Sequence, residues 1–244
     1  MSTSEVLLDA KGLVAWYGAA QILYDLDFQV RRGEVVALMG RNGAGKSTTL
    51  KAIMGMLDKR RGQISFMGQD ISRTEPFHAA RLGLAFVPED RRIFTDLTVM
   101  ENLAVGRQPP RAWPEGTAAP EWTPERLFKL FPNLGEMMQR PGGRMSGGEQ
   151  QMLTVSRALM GNPFVVLLDE PSEGVAPLIV EQMAHMILEL KQQGVSILLS
   201  EQNMHFAELV SDRVYVLEKG QIVYQDTIEA LAANEEVRRT YLTV

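Results

Sequence analysis

Gly40-Arg41-Asn42-Gly43-Ala44-Gly45-Lys46-Ser47 stands between an apolar run, Val35 to Met39, and a stretch in which Leu50, Ile53, Met54 and Leu57 recur at helical spacing. The order is strand, glycine loop, helix, and the octet fills G-x-x-x-x-G-K-[ST] at every fixed position. Glycines let the backbone wrap tightly. Successive N–H groups and the start of a helix over Lys46 to Leu57 then converge on one anionic volume, which the helix dipole also favours. Lys46 adds a mobile cation for β and γ phosphates, and Ser47 offers a hydroxyl to Mg²⁺, a hard ion that prefers oxygen ligands. The expected triphosphate contacts are Gly40, Arg41, Asn42, Gly43, Ala44, Gly45, Lys46, Ser47 and Thr48. A glycine-rich turn without a ligand is the alternative, and the flanking strand and helix argue against it.

A second apolar run, Phe164 to Leu168, delivers Asp169 and Glu170 to its C-terminal end, the edge where parallel α/β sheets place ligands. Neighbouring side chains on a strand face opposite ways, so the two acids can take different roles. Asp169 suits Mg²⁺, usually through water, and Glu170 suits positioning or deprotonating the water that attacks a γ phosphate. Leu178 to Gln193 reads as a helix ended by Gly194, and Val195 to Ser200 as the next strand, a parallel βαβ pattern. The expected class is α/β with a P-loop NTPase sheet core.

Short strands are also expected at Val6 to Leu8, Leu13 to Trp16, Phe28 to Val30 and Leu84 to Val87. Thr98 and Glu101 form a capping box for a helix over Val99 to Val105. Gln108 to Thr123, with four prolines, reads as an irregular surface loop before a helix opening at Pro124. Met145-Ser146-Gly147-Gly148-Glu149-Gln150 precedes a run in which Met152, Leu153, Val155, Leu159 and Met160 are apolar. Ser146 and Glu149 fit a second capping box. A cap alone does not need two glycines between them, and those glycines bare the backbone for a second anion-binding helix end.

No apolar stretch approaches the roughly 20 residues of a membrane-spanning helix, and Met1 to Asp9 lacks the basic start and apolar core of a secretory signal. The absence of cysteine removes disulfides and thiolate chemistry. With Lys+Arg 25 against Asp+Glu 30, the net charge of -5 gives no general attraction to nucleic acid or anionic lipid, and no nucleic-acid partner is expected.

With these motifs in this order the chain resembles the ATP-binding subunits of ABC transporters, whose L-S-G-G-Q signature lies shortly before the acidic strand end. The resemblance covers nearly the whole chain. It implies a single ABC ATPase domain, with a core of about 1–88 and 146–244, a small antiparallel β subdomain, and a helical subdomain of about 89–145. It also implies ATP hydrolysis with Mg²⁺ at the cytoplasmic face of the plasma membrane, peripherally bound. In that family Ser146, Gly147, Gly148 and Glu149 of one subunit would close on the nucleotide of a second, identical or paralogous subunit. Tyr17 would stack on adenine, the alternative being an aromatic buried in a strand.

Val87-Pro88-Glu89, Glu201-Gln202-Asn203 and Pro171-Ser172-Glu173-Gly174-Val175-Ala176-Pro177 depart from the superfamily pattern together. They resemble one ATPase subunit of importers for branched-chain amino acids and their amide and urea relatives. Asp90 and Glu173 differ from that subfamily, where glycine and leucine are expected. By this resemblance Glu170 and Gln202 serve hydrolysis, and Glu89 joins Ser47 and Asp169 at the metal. Gln202 can bond the γ phosphate but cannot carry a proton as histidine can. The implied partners are membrane permease subunits, meeting the Arg91 to Phe94 region, and indirectly a substrate-binding protein. An ABC-type ATPase acting on nucleic acid or ribosomes is the alternative, usually marked by two cassettes or coiled-coil insertions.

Overall fold

The structure, a computed structural model, describes residues 5–242, so Met1 to Ser4 of the expected signal-free N-terminus lie outside the described residues. The strands are β1 (Val6–Tyr17), β2 (Ala20–Arg31), β3 (Val35–Met39), β4 (Lys59–Phe66), β5 (Gln69–Asp70), β6 (Leu84–Val87), β7 (Val165–Asp169), β8 (Ser196–Glu201), β9 (Arg213–Glu218) and β10 (Gln221–Thr227). The α-helices are α1 (Lys46–Ile53), α2 (Pro76–Leu82), α3 (Val99–Gly106), α4 (Pro124–Leu130), α5 (Pro132–Glu136), α6 (Gly147–Leu159), α7 (Pro177–Gln192), α8 (Met204–Val210), α9 (Ile228–Ala233) and α10 (Glu235–Val237).

One sheet runs β10-β9-β3-β8-β7-β6, parallel except for the edge strand β10; the other is antiparallel, β2-β1-β4-β5. β3, β7 and β8 are buried along their whole length, as unbroken apolar runs covered on both faces must be. Their alternation splits the core. Val36, Leu38, Leu167 and Leu198 pack toward α1 and the antiparallel sheet. Val35, Val166, Leu168, Ile197 and Leu199 pack toward α3 to α7. The C-terminal ends of β3, β7 and β8 thereby meet along one edge.

Several expectations shift in extent. The two strands expected before Tyr17 are one strand, interrupted by register shifts on either side of Leu13. α1 stops at Ile53, short of Leu57, because Gly55 turns the chain at φ 78. β4 has no counterpart in the apolar pattern, since only Ile64 and Phe66 of its eight residues are buried.

The proline-rich stretch 108–123 is irregular, but it is tied down rather than merely superficial. Trp113 and Trp122 are buried. The Trp113 ring lies 4.7 Å from that of Phe164, with the Arg32 guanidinium 3.6 Å above it. Asn162 accepts from the Trp122 N–H at 2.7 Å and donates to the carbonyls of Gln108 and Pro109 at 2.9 and 3.2 Å. Four prolines announce irregular backbone, yet they are silent about two tryptophans that must be buried somewhere.

Candidate active site

The glycine loop leaves the end of β3 and enters α1 through Gly45, a cap without a side chain, so no side chain competes for the first N–H groups of the helix. The β9–β10 turn supports it from behind: the Gly220 N–H donates to the Ala44 carbonyl at 2.8 Å, and the Gly220 carbonyl accepts from Tyr24 at 2.8 Å. Lys46, only 3% exposed, donates from Nζ to the Gly40 carbonyl at 2.9 Å and to that of Arg41 at 3.3 Å. The same ammonium meets Glu170 Oε1 at 3.0 Å, and Glu170 is 6% exposed. The cation expected at phosphate is thus held by the carboxylate expected at water.

Glu170 is placed by a strained backbone, φ 46, with its N–H on the Ser200 carbonyl at 2.9 Å. Beside it the Ser47 hydroxyl donates to Asp169 Oδ1 at 2.9 Å. Burial pushes Asp169 above the usual carboxylate range, opposed by the Ser47 hydrogen bond. For Glu170 burial also pushes upward, but the hydrogen bond from Glu173 and the contact and charge of Lys46 outweigh it, and its carboxyl is held down. Gln202 Nε2 donates to Glu170 Oε2 at 3.4 Å and to Glu173 Oε2 at 3.2 Å. Glu173 is pushed up to about 7, first by its hydrogen bond with Glu170, then by burial and by the charges of Glu170, Glu89 and Glu201.

These groups surround a cavity of about 450 Å³ lined by Tyr17, Ile22, Asn42, Gly43, Gly45, Lys46, Ser47, Thr48, Glu89, Glu170 and Glu173. Tyr17 is 47% exposed at its wall, which sets aside the reading of a buried strand aromatic. Gly40, Arg41 and Ala44 belong to the loop without lining the cavity, and Asp169 touches it through Ser47.

Ser146, Gly147, Gly148 and Glu149 are not in this wall; they begin α6. The capping box is complete, with Glu149 N–H on Ser146 Oγ at 3.3 Å and Ser146 N–H on Glu149 Oε2 at 2.7 Å. The two glycines also have a packing reason. A Cβ at Gly147 would lie 2.7 Å from Arg91 Nη1, and one at Gly148 would lie 2.6 Å from Ile179 Cγ1.

Two residues that sequence reasoning left without a role belong to the site. Glu173 is in the cavity wall. Glu201, fully buried, accepts from Ser172 Oγ at 2.8 Å and from the N–H groups of Gln202 and Asn203 at 2.9 and 3.0 Å. A glutamate ending an apolar strand was the available signal for Glu201, as it was for Glu170.

A family model described as ABC transporter matches residues 23–173. The chain belongs to the ABC transporter ATP-binding family. It is similar to the high-affinity branched-chain amino acid transport ATP-binding protein BraG of Pseudomonas aeruginosa, 43% identical over 93% of this chain and 95% of that protein. It is also similar to the probable branched-chain amino acid transport ATP-binding protein LivF of Archaeoglobus fulgidus, 34% identical over 93% of this chain and 94% of that protein. The lipopolysaccharide export ATP-binding protein LptB of Escherichia coli is 32% identical over 96% of each chain. Among solved structures, an ATP-binding cassette of an ABC transporter in its ADP conformation matches with a TM-score of 0.78 at 28% identity, over 97% of this chain and 98% of that one. The fold is that of an ABC ATPase, and the chain is an ATPase of a transporter. Among the described residues no helix is long and apolar enough to cross a membrane.

Proposed function

We propose that this ABC ATPase powers an importer for branched-chain amino acids or related small polar compounds, as the cytoplasmic, peripherally bound engine of a permease in the plasma membrane. The single observation that carries its chemistry is the Lys46–Glu170 contact of 3.0 Å inside the phosphate cavity. Tyr17 stacks on the adenine of ATP. The loop from Gly40 to Thr48 wraps the triphosphate, and the γ phosphate takes Lys46 from Glu170. The freed carboxylate then receives the attacking water, and the Gln202 amide reports on the γ phosphate.

The donor set fits Mg²⁺. Ser47 and Asp169 oxygens lie 2.9 Å apart, and Glu89 lines the same cavity. Among the described residues no group of three or more His, Cys, Asp and Glu could hold a metal, as suits an ion that takes its remaining ligands from phosphate and water. Bound there, the ion would neutralise phosphate charge during transfer.

Ser146 to Glu149 at the start of α6 serve the nucleotide of a second subunit, identical or paralogous. Residues 89–145 act as the helical subdomain that meets the permease. An open groove of about 570 Å³ beside them supports this reading: its lining includes Phe77, Phe94 and Val105, exposed by 54, 46 and 55%. Exposed large apolar groups clustered in one groove mark a protein contact. A substrate-binding protein acts on the permease from the other side. The test is phosphate release by the chain with its cognate permease in vesicles, with labelled leucine outside. Leucine-stimulated turnover and uptake that are lost in Glu170→Gln support the reading. Turnover indifferent to permease and amino acid would sink it.

A further inference from the structure

The roles above leave one carboxylate in the cavity wall unused. Glu173 lines the cavity, and its Oε2 accepts from the Gln202 amide at 3.2 Å. The second N–H of that amide goes to Glu170 Oε2 at 3.4 Å, close to the limit of a hydrogen bond.

We propose that Glu173 is a positioning residue for hydrolysis: through the Gln202 amide it holds the Glu170 carboxylate on Lys46 until a γ phosphate takes its place. The inference rests on the ATP-hydrolysis reading of the cavity. Gln202 has two amide N–H donors, and the two carboxylates use both. Removing Glu173 leaves the Gln202 side-chain amide only its long bond to Glu170, so both side chains lose a defined orientation. The backbone keeps the pair in step, since the Glu173 N–H donates to the Glu170 carbonyl at 3.1 Å. The Ser172 hydroxyl bonds the same Glu201 carboxylate that holds the Gln202 and Asn203 N–H groups. The loops carrying Glu170 and Gln202 are therefore joined twice, once at the active face through Glu173 and once behind it through Glu201. The tendency of Glu173 to keep its proton fits a group that donates to Glu170. When ionised, its charge also opposes an incoming tetra-anion, so it weakens nucleotide binding while it organises hydrolysis.

The test is steady-state phosphate release by the full chain as wild type, Glu173→Leu, Glu173→Gln, Gln202→Ala and the Glu173→Leu/Gln202→Ala pair, with thermal melts to establish folding. Glu173→Leu should lower kcat about tenfold, a part of what a full ångström of misplacement costs. It should also lower KM about threefold, because a like charge has left the cavity. Glu173→Gln keeps the hydrogen bonds without the charge, so kcat should return to within about twofold of wild type while KM stays low. The pair should be no slower than Gln202→Ala alone, since both act through one contact. Wild-type kcat and KM in Glu173→Leu, a Glu173→Gln as slow as Glu173→Leu, or additive losses in the pair would each overturn the proposal. If Glu173→Leu fails to fold, Glu173→Ala takes its place in each comparison. A wild-type chain that binds ATP and releases no phosphate would instead defeat the hydrolysis reading, and this inference with it.

Discussion

Replacing Glu170 with glutamine separates three effects that meet on one side chain. Its charge holds Lys46, and under the proposed function its oxygen would receive a proton from water and its presence would compete with the γ phosphate for the ammonium. Both partners are at most 6% exposed, so solvent screens little of the pair. Removing one member of a buried ion pair typically costs 3–5 kcal/mol; the Gly40 and Arg41 carbonyls keep Lys46 partly solvated, which sets the expected loss lower, at about 2–3 kcal/mol. For a domain of this size that is a drop of roughly 5–10 °C in Tm without nucleotide. Turnover should fall by about 10²-fold or more, the usual contribution of a general base. ATP affinity should rise, because phosphate no longer displaces a carboxylate from Lys46. Phosphate release, calorimetric melts and nucleotide titrations on the same preparation measure all three. Turnover within a few-fold of wild type in Glu170→Gln, while Gln202→Ala abolishes it, would refute the assignment of the water to Glu170. An unchanged Tm without nucleotide would refute the ion pair.

Thr98→Ala removes the acceptor of the Glu101 N–H at the start of α3, which should cost about 1 kcal/mol, and ATPase activity of the isolated chain should be unchanged within error. Trp113→Ala strips the ring between Phe164 and Arg32 and should lose about 3–5 kcal/mol in urea unfolding; a loss below 1 kcal/mol would mean the 108–123 stretch is not anchored there. Gly220→Ala would place a Cβ 1.8 Å from the Ile22 carbonyl, at φ 77, so the turn must move away from Ala44. ATP binding by titration should weaken by up to about 10²-fold as the phosphate loop loses its support. Glu173 carries a pKa raised from 4.5 to about 7. A raised carboxyl lets the folded chain bind more protons than the unfolded one, so its contribution is fully present below pH about 4.5 and is lost as pH rises through about 7. Asp169 and Glu201, raised by burial, act with the same sign, so the check is the difference between wild type and Glu173→Gln in melts from pH 5 to 8. Wild type should lose more stability across that window.

What the sequence made legible follows from where each signal is local. The glycine loop, both capping boxes and the three buried parallel strands β3, β7 and β8 were readable because chemistry and periodicity sit within a few residues of each other. Ser146 and Glu149 needed no partner from elsewhere to be recognised as a cap, whereas Asp169 and Glu170 took their reading from the phosphate loop upstream. β4 was silent because none of Lys59 to Gln63 is apolar and buried, so neither alternation nor an apolar run marks it. The Lys46–Glu170 contact joins positions far apart in the chain and has no sequence pattern at all; it exists because β3 and β7 both flank β8. Glu173 could be seen as a departure from a subfamily, but its place in the cavity depends on how the Glu170 turn folds back toward Gln202. Gly220 shows the same limit from the other side. An ordinary Lys-Gly turn in sequence becomes a support of the phosphate loop only once β9 lies beside β3.

Under the proposed function, the charges in the cavity give a reason for one chain to hold half a working site. Lys46 is the buried cation in a wall that also carries Glu89, Glu170 and Glu173, and Glu170 already takes that cation. A triphosphate entering this space brings about four more negative charges, so the N–H groups of α1 and one ammonium do not balance it. A hard divalent ion held by Ser47 and Asp169, as proposed, would meet part of the deficit. The start of α6 offers the remaining kind of donor, N–H groups at a positive helix end, but those residues lie outside the cavity of their own chain. Under the proposed function these donors would reach a phosphate only from a second copy or paralogue. On this reading the acidic wall makes nucleotide closure depend on both subunits, because neither cavity alone can neutralise what it binds.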